Sequence, residues 1–171
     1  MDNGILVTVL SVVAPRLVGM TGVSEVRDEA TALVERVVSL ERAIARLTAL
    51  QHDALLDLAR RPLHATGPAD FAEVGAVARD NVSDEIAAAL GVSARGIDRR
   101  LELATGLVRM PVAQAAFRAG AIDLNRVRVL VEETAALDDK TTRLVDEQVS
   151  PAASTLTPAR LRRRVRRAAL G

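Results

Sequence analysis

From Ser24 to Arg61 the apolar residues return at alternating steps of four and three: Val26, Ala30, Leu33, Val37, Leu40, Ile44 and Leu47. This is a heptad seam of about three repeats, which Ala54 and Leu58 continue less purely. The spacing predicts one long amphipathic helix. Ser24 is placed to cap it, and Glu25, Asp28 and Glu29 fall in the first turns, where the helix dipole favours acids. Its apolar edge has two readings. Either the helix lies across the rest of the chain, or the seam meets a second copy and forms a homodimer through Val26, Leu33, Val37, Leu40, Ile44 and Leu47.

Beyond this helix the pattern breaks into shorter ones. Arg61-Pro62 is a stop and Thr66-Gly67-Pro68 a linker; Asp70 with Glu73 then has capping-box spacing for a helix carrying Phe71, Val74, Val77 and Ala78 toward Leu90. Gly91 separates that helix from the next. Met110-Pro111 starts a helix ending at Gly120, Asp123 caps Leu124 to Ala136, Asp138 caps a helix through Val149, and Ser150-Pro151 breaks it. Thr157 followed by Pro158 opens a last, Arg-rich helix. The expected class is all-α, organised as an apolar leader (1–23), the long helix (24–61) and a multi-helix domain (70–171). The leader's apolar run, Ile5 to Val13, is too short to span a bilayer and lacks signal-peptide flanks. Strand, helix and disorder all remain open for it.

The most informative stretch is Asp84 to Leu101, inside an expected helix-turn-helix at about residues 84–105. Two helices crossing near a right angle need a small residue where they touch, and Ala87 supplies it. The turn needs tolerance of positive φ, which Gly91 has. Val92 is expected to plug the wedge, Ser93 to cap the second helix, and Ile97 with Leu101 to face back onto Ile86 and Leu90. Ala94, Arg95, Asp98, Arg99 and Glu102 would point outward, with Arg100 beside them. Arg95 and Arg99 then reach base edges or phosphates. Against this, Asp98 and Glu102 repel phosphate, and Gly96 weakens the helix by about 1 kcal/mol relative to Ala. A helix-turn-helix also serves elsewhere as a plain packing unit.

Composition narrows the chemistry. Hydrophobic residues fill 49% of 171 positions, enough for a buried core, yet there are two Phe and no Trp or Tyr. That argues against base-stacking platforms and aromatic cation cages. Cysteine is absent, which removes disulfides, thiolate nucleophiles and thiolate metal sites and is compatible with a cytoplasmic location. Net charge is +1, so the distribution says more than the total. Lys140 is the single lysine, and residues 157–171 hold six arginines and no acid. With Leu161, Val165 and Leu170 on one side of the tail helix, Arg162, Arg163, Arg166 and Arg167 fall on the other. That strip reads as a solvated face, a phosphate-contacting surface or a membrane-surface helix.

Five landmarks in order carry a family likeness: Asp84-Glu85-Ile86-Ala87-Ala88-Ala89-Leu90, Arg99-Arg100-Leu101, Arg118-Ala119-Gly120-Ala121-Ile122, Ala136-Leu137-Asp138-Asp139, and Leu156-Thr157-Pro158-Ala159-Arg160-Leu161-Arg162. With them the chain from about Phe71 to Leu170 resembles the actinobacterial domain-of-unknown-function family 222, and Gly96 departs from its pattern. That domain commonly lies upstream of an HNH endonuclease domain in multicopy, mobile-element-associated proteins. The resemblance implies an N-terminal module with its catalytic segment downstream. Ile86 through Arg128 is also similar to the helix-turn-helix domain of ParB-type partition proteins, which implies nucleic acid as the partner. An HNH site needs histidines to bind a metal and activate water. Only His52 and His64 are present, so no nuclease activity is expected of these residues.

The other polar groups have bland explanations. His52-Asp53 with Asp57 is a conceivable metal pair, but a solvated helix face accounts for it more simply, and His64 sits in the linker. Asp138-Asp139 reads as a helix start and Glu132-Glu133 as a solvated face. No phosphate loop, nucleophile elbow or catalytic triad can be assembled, and no catalytic residue, metal or cofactor is expected. The reading is a non-catalytic, DNA-associated module without a membrane role. It would use Ser93, Arg95, Arg99, Arg100, Arg162, Arg163, Arg166 and Arg167 around a turn built by Ala87, Gly91 and Ile97. The alternative is a helical interaction scaffold working through the heptad seam.

Overall fold

The computed structural model describes residues 22–60 and 83–170. Every regular element among them is a helix, as the all-α class requires. Helix α1 is Gly22–Arg60 and residues 83–90 form α2. Then come α3 (Ala94–Val108), α4 (Pro111–Arg118), α5 (Leu124–Thr134), α6 (Asp139–Val149), a 3-10 turn (Ser150–Thr155) and α7 (Pro158–Ala169). The leader with Ile5 to Val13, the Asp70/Glu73 capping box, Phe71, Val74, Val77, Ala78 and His64 lie outside the described residues. No helix among the described residues is long and apolar enough to cross a membrane.

The chain divides into two compact units, Met1–Glu41 and Arg42–Gly171. In the first, α1 starts at Gly22, so Ser24 lies inside the helix rather than at its cap. Leu33, Val34, Val37, Val38 and Leu40 are 44–59% exposed there. The side chain of Val26 is outside the description.

The second unit follows local rules. Ser93, Asp123, Asp138 and Thr157 cap α3, α5, α6 and α7, each accepting from the backbone N–H three residues on. Helix α4 lacks such a cap, because Met110 offers none and Pro111 has no N–H. Its next two donors, Val112 and Ala113, reach the buried carboxylate of Asp146 on α6 at 2.7 and 3.0 Å. At the other ends, Gly91 (φ +65°) and Gly120 (φ +71°) close α2 and α4 in Schellman turns. Val92 N–H donates to Ala87 O at 3.0 Å, and Ala121 N–H to Ala116 O at 2.8 Å.

Among the described residues, two apolar centres hold this unit. The larger joins Ala45 and Ala49 of α1 to Met110, Phe117, Leu130, Val149, Leu161 and Val165. Each large side chain withdrawn from water there contributes roughly 1.5–3 kcal/mol. The smaller joins Leu55 of α1 to Ala87, Ile97 and Leu101. Helix α1 therefore faces the core with Ala45, Ala49, His52 and Leu56, while Ile44, Leu47 and Leu50 stay 56–67% exposed. The two readings of its apolar edge are not exclusive: one face packs and the other is left uncovered.

Candidate nucleic-acid interface

The chain turns the corner between α2 and α3 as the offsets from Gly91 predict. Ala87 and Ile97 are buried against each other's helices, with Ile97 wholly inaccessible. Ser93 Oγ accepts from Gly96 N–H at 3.2 Å and so fixes the start of α3. Two expected core residues are not core. Leu90 and Val92 are 52% and 40% exposed, because the wedge is filled from outside the motif by Leu55 and Ala59 of α1. Sequence reasoning missed that contribution, since nothing in a local motif announces a remote helix.

On α3, Arg95 and Arg99 are exposed, and Arg100 and Asp98 are half-buried. Arg99 and Arg100 line a groove of about 940 Å³ with Arg128 of α5, and Glu102 and Glu132 share it. Arg95, Arg99 and Arg100 take no ion-pair partner among the described residues. Other arginines are spent on structure. Arg109 binds Asp139 (2.7 Å), Thr142 Oγ1 (2.9 Å) and the Leu137 carbonyl. Arg126 holds the carbonyls of Ala153 (3.1 Å) and Leu156 (2.9 Å).

The tail strip is re-sorted. Leu161 and Val165 are buried as expected, but Leu170 is 90% exposed. Helix α7 ends at Ala169, and half-buried Ala168 and Ala169 take the inner side instead. Arg162 and Arg166 turn toward α5. Arg166 makes a two-pronged bond to Glu133 (2.6 and 3.0 Å). Arg162 Nε lies 2.9 Å from the same carboxylate, a charge contact without hydrogen-bond alignment, and Nη2 lies 3.4 Å from Glu132. Arg166, with help from Arg162, holds the Glu133 carboxyl below the usual carboxylate range. Glu132-Glu133 is therefore an arginine anchor, not merely a solvated face. The remaining tail arginines, Arg160, Arg163, Arg164 and Arg167, line an open concavity of about 560 Å³ with Gln148 and, among the described residues, no acid. The strip expected from the sequence omits Arg160 and Arg164, because it is phased on Leu170 as well as on Leu161 and Val165.

His52 is not on a solvated face either. It is 3% exposed, its ring meets Phe117 edge-on at 5.7 Å, and Nδ1 has no partner. Asp53 is taken by Arg118 in a two-pronged bond (2.9 and 2.8 Å), and Asp57 lies 3.8 Å from Arg60. Among the described residues no cluster of three His or carboxylate groups could hold a metal. Burial pushes the His52 pKa down, the nearby Arg100 charge adds to this, and Asp53 opposes it. The unfolded chain therefore binds the proton more readily than the native one. The stability contributed by keeping His52 neutral is full above the ordinary histidine range near 6.5 and declines as pH falls through and below it. Thermal melts between about pH 7.5 and 5.5 should show this decline, and His52→Leu should flatten it. An unchanged slope in that variant would assign the effect elsewhere.

No family model, curated protein or solved structure matches the chain.

Proposed function

We propose that this chain is a non-catalytic, DNA-associated helical module that sets α3 against the duplex. The observation that carries the reading is the glycine corner at Gly91, followed by a capped helix with Arg95 and Arg99 in solvent and without an ion-pair partner among the described residues. Helices so mounted present their N-terminal side chains to the major groove. Arg100 flanks them from a half-buried position, and Ser93 serves the helix as its cap. The likeness to family 222 and to the ParB-type domain supports the same partner by analogy, and a reducing cytoplasm suits the role. Of the tail, Arg163 and Arg167 with Arg160 and Arg164 are the phosphate contacts. Arg162 and Arg166 position α7 through Glu133.

Duplex binding should fall steeply with salt, because each neutralised phosphate releases counterions. Replacing Arg160, Arg163, Arg164 and Arg167 with Gln should flatten the plot of log affinity against log salt by about 3.5, at roughly 0.9 per phosphate no longer neutralised. Replacing Arg162 and Arg166 should leave that slope alone. No binding at micromolar protein in low salt would overturn the reading.

A second reading is favoured by the uncovered side chains of Leu33, Val37, Leu40, Ile44 and Leu47. Exposed apolar surface of this extent marks an interaction face, here for a homodimer. As a scaffold the chain would work through that seam alone and leave DNA untouched.

A further inference from the structure

Each α1 residue can be given a heptad position, with Val37 and Ile44 at a, and Leu33, Leu40 and Leu47 at d. Ala45, Ala49, His52 and Leu56, the residues that pack inward, then occupy positions b and f, on the side opposite the seam. The side chains at a and d remain solvent-exposed, from 55% at Leu40 to 67% at Leu47. A β-branched residue at a with leucine at d selects two parallel strands, because each shape fits the geometry of its own layer.

The flanking charges agree with that choice. Arg36 falls at g and Glu41 at e, five residues on, and both are exposed without an ion-pair partner among the described residues. In a parallel, in-register pair, g of one helix lies beside the following e of the other, so Arg36 meets Glu41 of the second copy twice by symmetry. An antiparallel pair sets g against g and e against e, and these two charges never meet. Every other g and e position between Ala30 and Leu47 is uncharged, so no like-charge clash opposes the parallel arrangement.

We propose that the α1 seam from Ala30 to Leu47 binds a second copy of this chain as a parallel, in-register, two-stranded coiled coil. The inference rests on the homodimer reading and is independent of the DNA reading. The absence of native cysteine gives a clean test. Leu33→Cys and Leu47→Cys, made separately in the full chain, should each yield a disulfide-linked dimer on mild oxidation. These positions lie about 21 Å apart along the helix, so an antiparallel pair cannot bring both beside their own copies. Sedimentation should show wild type as a dimer at micromolar concentration. Glu41→Arg should weaken it about tenfold, and Arg36→Glu with Glu41→Arg should restore it. A monomeric wild type overturns the homodimer reading together with this inference. A dimer lacking either cross-link, or indifferent to Glu41→Arg, overturns the parallel register alone.

Discussion

Replacing Asp146 with Ala should lower stability by roughly 4 kcal/mol. The carboxylate is wholly buried and accepts three hydrogen bonds, from the N–H groups of Val112 (2.7 Å) and Ala113 (3.0 Å) and from Ser150 Oγ (2.5 Å). Each buried donor stripped of its acceptor costs about 1–3 kcal/mol. Here two of them are the first free donors of α4, where the helix dipole also favours the negative charge. Among the described residues no other side chain caps α4, since Met110 makes no cap bond and Pro111 has no N–H. In a chain of this length the melting temperature should fall by roughly 8–16 °C. Asp146→Asn, which keeps the shape and one acceptor oxygen, should fall in between. A loss below about 1 kcal/mol for the Ala variant would mean that water closes the helix end equally well.

Gly120→Ala should cost about 3 kcal/mol, and the contrast with Gly91→Ala shows why. Both glycines have positive φ, at +71° and +65°, and forcing Ala into that conformation costs roughly 1–2 kcal/mol. At Gly91 a methyl group would meet nothing within 4 Å, so the backbone term stands alone. At Gly120 it would stand 2.5 Å from the carbonyl oxygen of Arg42, a backbone atom that moves only if α1 shifts. Overpacking of that kind adds about 1–3 kcal/mol. Chemical denaturation of the two variants should therefore separate them by that overpacking cost, roughly 1–3 kcal/mol. Equal losses would show that α1 does not press on this turn.

The elements of this fold are written locally. Ser93, Asp123, Asp138 and Thr157 cap through their own side chains and Gly91 and Gly120 end helices through their own φ, so those six boundaries can be read from a few neighbouring residues. What depends on a remote partner is not so written. Asp146 looks like a surface acid until Pro111 removes a donor and α6 crosses the end of α4. His52 looks solvated until Phe117 covers it. The tail arginines are alike in sequence, and only the positions of Glu132 and Glu133 on α5 divide anchors from unpaired charges. The heptad seam is visible from spacing, whereas the alanine face by which α1 packs is hidden, because alanine marks no face strongly.

Two side chains of α3 carry the proposed DNA role, and fluorescence anisotropy of a labelled duplex at low salt reads their contribution. Arg95 and Arg99 are both exposed and have no ion-pair partner among the described residues, so Arg95→Ala with Arg99→Ala should leave the melting curve in place. Removing one arginine from a base edge or phosphate costs about 1–3 kcal/mol, and the double variant should bind at least about 30-fold more weakly than wild type. Equal affinity of variant and wild type would refute the role.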